Sequence, residues 1–389
     1  MSLLNLVAFV AFATSLFTRS TDPIVPQIAD AFTVAPETAA LLASAFALPY
    51  AFVQPVLGAL ADMFSKTRLM TACLLILVAA STVAVFAPNF ETMIVSRMIS
   101  GIAAGGVFPI ALAIAGDRVA VDQRQIAISR LLGAAMMGSL LGASGAGVLA
   151  DLFGWRSVFV ATALIGFVIL IAAVRGFRNV EDHAPGKFDL STLGPNYRAI
   201  FGNPLSGYCF GLVFLESLCI FGIFPHMANL LQQGGETLAT TAGVVLAGFG
   251  FGALLYTFAV SRLLNWFDAR TMMVIGGTTM ALCLAVISLR LAWQYELANF
   301  ILLGFGMYFL HGFIQVVATE LAPSARGSAM ALHSAFFFFG QAAGPYLYGR
   351  GFTILGVAPT LLIAAAVMLI VGIVAAFKLR QPSRGVPAL

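Results

Sequence analysis

Charge is what this chain has least of. Only 9% of its 389 residues are Asp, Glu, Lys or Arg, against 60% that are hydrophobic, and the mean hydropathy is +0.99. That balance excludes a soluble globule, in which roughly 25% of residues are charged. Cysteine is nearly as sparse. Cys73, Cys209, Cys219 and Cys283 all fall inside apolar runs without metal-ligand spacing, so they read as small buried side chains rather than a disulfide framework or metal site. No Walker-type glycine loop is present, which excludes ATP-driven work by this chain alone. His183 has no paired Cys, and no Ser-His-Asp or metal-ligand constellation points to an enzyme or a cofactor. Met1 to Asn5 carry no positive charge and no cleavage site follows them, so the first apolar run predicts a retained span rather than a signal peptide. The formal charge of +4 comes from bases in short breaks beside apolar runs, a topology signal that gives no reason to expect a nucleic-acid partner.

What the chain does have is apolar runs, about twelve of them, each about 20 residues long and so fit to cross a bilayer as a helix. We place the spans at 4–29, 38–61, 70–87, 92–115, 126–150, 156–175, 204–232, 238–261, 271–290, 296–320, 328–350 and 357–378. Alternate breaks are basic: Lys66/Arg68, Arg118/Arg124, Arg175 through Arg198, Arg262/Arg270, Arg326 and Lys378/Arg380/Arg384. The others carry Glu37, Glu91, Asp151, Glu236 and Glu296, with Arg156, Arg290 and Arg350 as exceptions. The positive-inside rule makes the basic breaks and both termini cytoplasmic, in a multi-pass protein of the bacterial inner membrane. One long polar break, 176–203, divides a first bundle at 1–175 from a second at 204–389. The halves echo each other. Asp117 at the end of span 4 is followed by Arg124, Glu320 at the end of span 10 by Arg326, and the two arginines stand 202 positions apart. A parallel repeat is a recurrent transporter design, with its binding site at the midplane between the halves.

The strongest local motif is Gly58-Ala-Leu-Ala-Asp62 followed by Lys66 and Arg68, between spans 2 and 3. Gly58 permits close helix approach, Asp62 can meet a neighbouring helix end, and the basic pair faces the anionic inner leaflet. This loop resembles the signature of the major facilitator superfamily, departing from it at Ser65 and Thr67. Arg97-Met-Ile-Ser-Gly101 resembles the helix-4 arginine motif of proton-coupled members. Gly138 through Gly147, followed by Gly154-Trp155-Arg156, resembles the helix-5 motif of exporters, with Ala143 where a proline is usual. Arg19-Ser-Thr-Asp22-Pro23 resembles the twelve-helix drug:proton antiporters and sugar-efflux permeases. The resemblance implies an all-α fold of two six-helix bundles around a cavity lined by helices 1, 4, 7 and 10. It also implies a cytoplasmic latch at Asp62 and Arg68, which we extend to Gly58, Lys66, Asp117, Arg124, Glu320 and Arg326. Gly138/Gly142 and Gly340/Gly344 are small-xxx-small pairs expected to pack helices.

Charges retained inside the bilayer carry the functional reading, because each costs several kcal/mol unless it faces protein or water. At ~1.5 Å per residue, Arg19 lies about 22 Å into span 1 and Arg97 about 8 Å into the oppositely directed span 4, which gives them similar depth. Asp22, one turn beyond Arg19, is expected between the two arginines, either as a static ion pair or as a site. Two Arg to one Asp leave a positive surplus, so an anionic or zwitterionic substrate fits at least as well as a cation. Glu216 near the middle of span 7 and Asp22 are the candidates for proton coupling. Arg19, Arg97 and the stripe Tyr308, His311 and Gln315 are the candidates for substrate binding. His226 is expected near the outer mouth, and Phe336 to Phe339 against lipid, in the core, or as an aromatic wall. The expected function is proton-coupled export of a small organic molecule by a monomer. The rivals are a nutrient symporter, a lipid flippase and a receptor without transport.

Overall fold

With no water to bond, apolar runs of this length must satisfy their backbone internally, and helices do so. The structure is a computed structural model that describes residues 3–63, 65–119, 121–178, 180 and 190–379, with side chains described for all of these except 57–63, 116, 121, 122, 124, 125, 129, 190–193 and 324. Gly58, Asp62 and Arg124 therefore lie outside the described side chains, and His183, Arg380 and Arg384 outside the described residues. Among the described residues, eleven helices are long and apolar enough to cross a membrane. A twelfth, Arg326–Ile354, has the length, but His333, Gln341 and several glycines dilute its hydropathy.

In chain order the spans are 1 (Leu3–Phe32), 2 (Leu41–Met63), 3 (Lys66–Val85), 4 (Phe90–Arg118), 5 (Val121–Phe153) and 6 (Arg156–Phe177). The second set is 7 (Ser206–Gln233), 8 (Ala239–Trp266), 9 (Ala269–Ile287), 10 (Trp293–Glu320), 11 (Arg326–Ile354) and 12 (Val357–Lys378). Spans 2 and 4, 1 and 5, 3 and 6, and 3 and 4 pack together in the first half. The same pairs, shifted by six, recur as 8 and 10, 7 and 11, 9 and 12, and 9 and 10. Two seams join the halves, span 2 on span 11 and span 5 on span 8.

The polar break is not structureless. Leu190–Gly202 forms a helix that packs on the second half, with Ile200 fully buried and Asn203 Nδ2 donating to the Leu321 carbonyl at 2.9 Å. Pro195 sits in this helix without ending it.

Spans 8 and 10 touch backbone to backbone at Gly252 and Gly304. A Cβ on Gly252 would meet the Ile301 carbonyl, and one on Gly304 would meet the Phe249 carbonyl. Gly304→Val is expected to cost about 3 kcal/mol of stability by overpacking, read as a lower melting temperature in detergent. Gly133→Ala, at a helix position with no atom within 4 Å of an added Cβ, is the matched control and should not lower it.

Candidate functional site

Two spans are broken, and the breaks build the site. Span 1 stops helical bonding at Arg19 and resumes at Val25 after a tight turn, Asp22–Ile24. Pro23 and Pro26 cause this, each lacking the N–H that a continuous helix would use. Span 7 breaks likewise between Phe221 and Phe224, before Pro225. Pro225 follows Pro23 by 202 positions, the same offset as Arg326 from Arg124, so the repeat places both breaks in corresponding spans. Discontinuous helices of this kind form binding sites in transporters because freed backbone groups face a cavity.

The break in span 1 leaves the Phe17 carbonyl to other donors, and Ser20 Oγ (3.3 Å) and Arg97 Nη1 (3.1 Å) take it. Arg97 also lies over the Phe46 ring at 4.4 Å, and its Nε and Nη2 have no partner. The three charges of the expected triad lie near one another, but their hydrogen bonds are divided. Asp22 pairs with Arg19 alone (Oδ2 to Nη1, 3.4 Å), while Arg97 goes to backbone instead. Arg19 reaches into the other half. Its Nη2 donates to Gln341 Oε1 at 3.2 Å, and its guanidinium lies 4.4 Å from the Phe221 ring and 4.9 Å from that of Phe224. Asp22 is 1% and Arg97 2% exposed, whereas the Arg19 side chain keeps 15%. In this conformation Asp22 and Arg97 are closed off from solvent, and of the three Arg19 alone keeps part of its side chain exposed.

Glu216 forms the second cluster. It is completely buried, its Oε2 shares a 2.8 Å hydrogen bond with His311 Nδ1, and its Oε1 has no partner. His311, 13% exposed, stands beside Phe337 and His333, at ring separations of 5.1 and 5.3 Å. His333 is buried and its Nε2 is unpartnered. Tyr308 packs 6.3 Å from His311 and 5.9 Å from Tyr256. Gln315, one turn further, is exposed and stays apart from this cluster. His226 lies toward the outer side as expected, beside Gly349 and Glu37, but it is buried, its Nε2 at 2.9 Å from the Pro345 carbonyl.

The glycine pairs seat these broken spans. Gly138 lies on the Phe12 carbonyl and Gly142 on that of Leu16, bringing span 5 onto span 1. Gly340 lies on the Phe214 carbonyl and Gly344 on Leu218 and Gly222, bringing span 11 onto span 7. Gly154 takes a positive φ of 78°, and Arg156 donates to the Val85 and Ala87 carbonyls at 3.2 and 3.4 Å, so the Gly-Trp-Arg run closes the end of span 3. Phe338 stacks on Tyr50 at 3.7 Å, which makes the phenylalanine run part of the seam between halves.

Among the described side chains, the cross-half contacts lie at the midplane and on the face opposite the basic breaks. There Gly243 lies 2.5 Å (as a Cβ) from the Ala143 carbonyl, Gly349 packs on Glu37, and Asp151 bonds to Thr240. Toward the basic face, Lys66 pairs with Asp117 at 2.7 Å and Arg326 with Glu320 at 3.3 Å, each within its own half, and Arg68 is exposed. Gly211 and Gly312, on that side of spans 7 and 10, have no atom within 4 Å of an added Cβ. Among the described side chains, the halves meet across the face opposite the basic breaks. Asp268, in the second-half counterpart of the signature loop, caps span 9 by accepting from Thr271, which holds its carboxyl below the usual range.

The chain matches the family model described as Major Facilitator Superfamily over residues 7–239 and 209–388. It is 25% identical over 359 residues to the uncharacterized MFS-type transporter YtbD of Bacillus subtilis, covering 89% of this chain and 88% of that one. It is also 25% identical over 316 residues to the multi-drug resistance efflux pump PmrA of Streptococcus pneumoniae, covering 79% and 77%. The fold superposes on a bacterial homologue of the human lysosomal transporter Spinster, crystallised in an inward-facing and unoccupied conformation, with a TM-score of 0.74, 16% identity, and coverage of 97% and 96%. With a family match along almost its whole length, repeated packing in two halves and charged groups between them, the chain belongs to the major facilitator superfamily of multi-pass membrane transporters.

Proposed function

We propose that this transporter exports a small organic molecule across the bacterial inner membrane against inward proton flow, by alternating access. The observation that carries the reading is the completely buried Glu216 with one oxygen on His311 and the other free. A carboxyl group out of water is stable only when paired or neutral, so its charge must change with its surroundings. His311, partly exposed, is the route by which a proton reaches it. Asp22 serves as a second proton site when Arg19 moves away. Arg19, flanked by Phe221 and Phe224, offers a cation beside aromatic surface, which suits an amphipathic substrate with an anionic group. Arg97, Tyr308 and Gln315 join the substrate site only if another conformation uncovers or assembles them.

The basic face is the cytoplasmic one, with both termini on it, and the present conformation opens inward. When that face closes, Gly58, Asp62, Lys66, Arg68, Asp117, Arg124, Glu320 and Arg326 form its latch. A symporter importing a nutrient is the second reading, favoured by Ala143 in place of the helix-5 proline.

The test has two steps. A thermal-shift screen against drugs, organic acids, sugars and lysolipids at two pH values identifies ligands, a ligand at 100 times its Kd adding about 2.7 kcal/mol. A pH gradient is then imposed on proteoliposomes holding the pure protein. Export predicts that the ligand moves opposite to proton entry. Movement with the protons would establish the symporter, and movement indifferent to the gradient would remove proton coupling.

A further inference from the structure

We infer that Asp151 is the outer latch of the transport cycle, a helix cap supplied by one half of the protein to the other. Span 8 begins without a cap of its own. Its N-cap position is Leu238, whose side chain offers no acceptor to the first free N–H groups. Those groups are taken by Asp151 of span 5, which belongs to the opposite half. Its Oδ1 accepts from the Ala239 N–H at 3.0 Å, and its Oδ2 from the Thr240 N–H at 2.7 Å and the Thr240 hydroxyl at 2.6 Å. Gln27 Nε2, on the outer segment of span 1, reaches the same carboxylate at 3.4 Å.

The position is informative because it is wrong for span 5 itself. Asp151 lies in the last turn of that helix, where the negative end of the macrodipole disfavours an acid. Its value lies at the positive end of the neighbour, to which it is fastened by charge-assisted bonds. The backbones are already close there. A Cβ on Gly147 would meet the Ala239 carbonyl, and Gly243 rests on Ala143 one turn deeper. Opening this face must separate spans 5 and 8, so it must uncap span 8 and release the Asp151 carboxylate to water. The latch therefore weights the equilibrium toward the outer-closed state without touching substrate or protons.

The inference depends on the alternating-access part of the proposed function but not on its substrate or coupling ion, and its test uses neither. Spin labels at Phe86→Cys and Leu289→Cys, both exposed at the outer ends of spans 3 and 9, report the separation of the halves on that face. In the otherwise native chain the short-distance population should dominate. Asp151→Asn keeps the shape, gives up the charge and one acceptor, and should raise the ratio of long to short distances on the order of tenfold. Thr240→Val, which removes only the hydroxyl donor, should give a smaller shift in the same direction and serves if the first variant folds poorly. Asp151→Glu should recover most of the short-distance population, which a merely structural role in span 5 would not require. Unchanged distances in both Asp151→Asn and Thr240→Val would overturn the latch. A single distance in every variant, wild type included, would instead remove alternating access itself.

Discussion

Glu216→Gln is expected to reduce proton-driven transport at least ~100-fold while leaving substrate exchange across the membrane within a few-fold of wild type. The substitution is nearly isosteric in a site with no room to spare, since Glu216 is completely buried. The amide can still bond His311 Nδ1, so the packing of spans 7 and 10 survives. What is lost is the change of charge. Coupling requires that the protonated and unprotonated forms prefer different openings, and shifting a two-state equilibrium from 1:99 to 99:1 takes about 5.5 kcal/mol of differential free energy. A side chain that cannot ionise supplies none. Exchange only needs the loaded protein to turn over, which does not involve that difference. Everted vesicles give the first measurement and counterflow in proteoliposomes the second. Proton-driven uptake unchanged by the substitution would take Glu216 out of the mechanism. His311→Gln should fall between the two, because the carboxyl remains but loses its partly exposed partner.

The fold was legible because bilayer physics leaves few choices. Span number, parity and the two halves all follow from hydropathy and the alternation of Lys and Arg. The retained charges pointed to the broken span 1 and to the buried Glu216–His311 pair, since an ionisable group in lipid is expensive unless protein surrounds it. Pairing was not legible. That Arg97 would go to the Phe17 carbonyl depends on a backbone acceptor freed by the break in span 1, and apolar run length does not report a break. Pro23 and Pro225 were the available signal, visible only when the two halves are laid over each other. Asp151 was read as one acid among the outer breaks. Its partners are the first N–H groups of span 8, and backbone donors leave no mark in a sequence.

Asp22→Asn is the other change expected to act strongly, and it acts on stability. The cluster holds two guanidinium groups and one carboxylate, with Arg97 and Asp22 almost fully buried and two of the Arg97 nitrogens already without partners. Removing the one negative charge leaves both guanidinium groups without a counter-ion, that of Arg97 almost fully buried, at a cost of about 3–5 kcal/mol. The melting temperature in detergent should fall accordingly. Adding Arg19→Gln to Asp22→Asn should restore part of the loss, because it removes the charge that Asp22 balances at 3.4 Å. The same pair of variants separates a static brace from a binding site. If Arg19 receives an anionic substrate, Asp22→Asn should bind such a ligand more tightly than wild type despite its lower stability, since the competing carboxylate is gone. A brace without a binding role predicts the stability loss and its partial recovery with no change in ligand affinity. A melting temperature unmoved by Asp22→Asn would mean that water already neutralises the cluster, and the buried geometry around Arg97 would then have to be wrong.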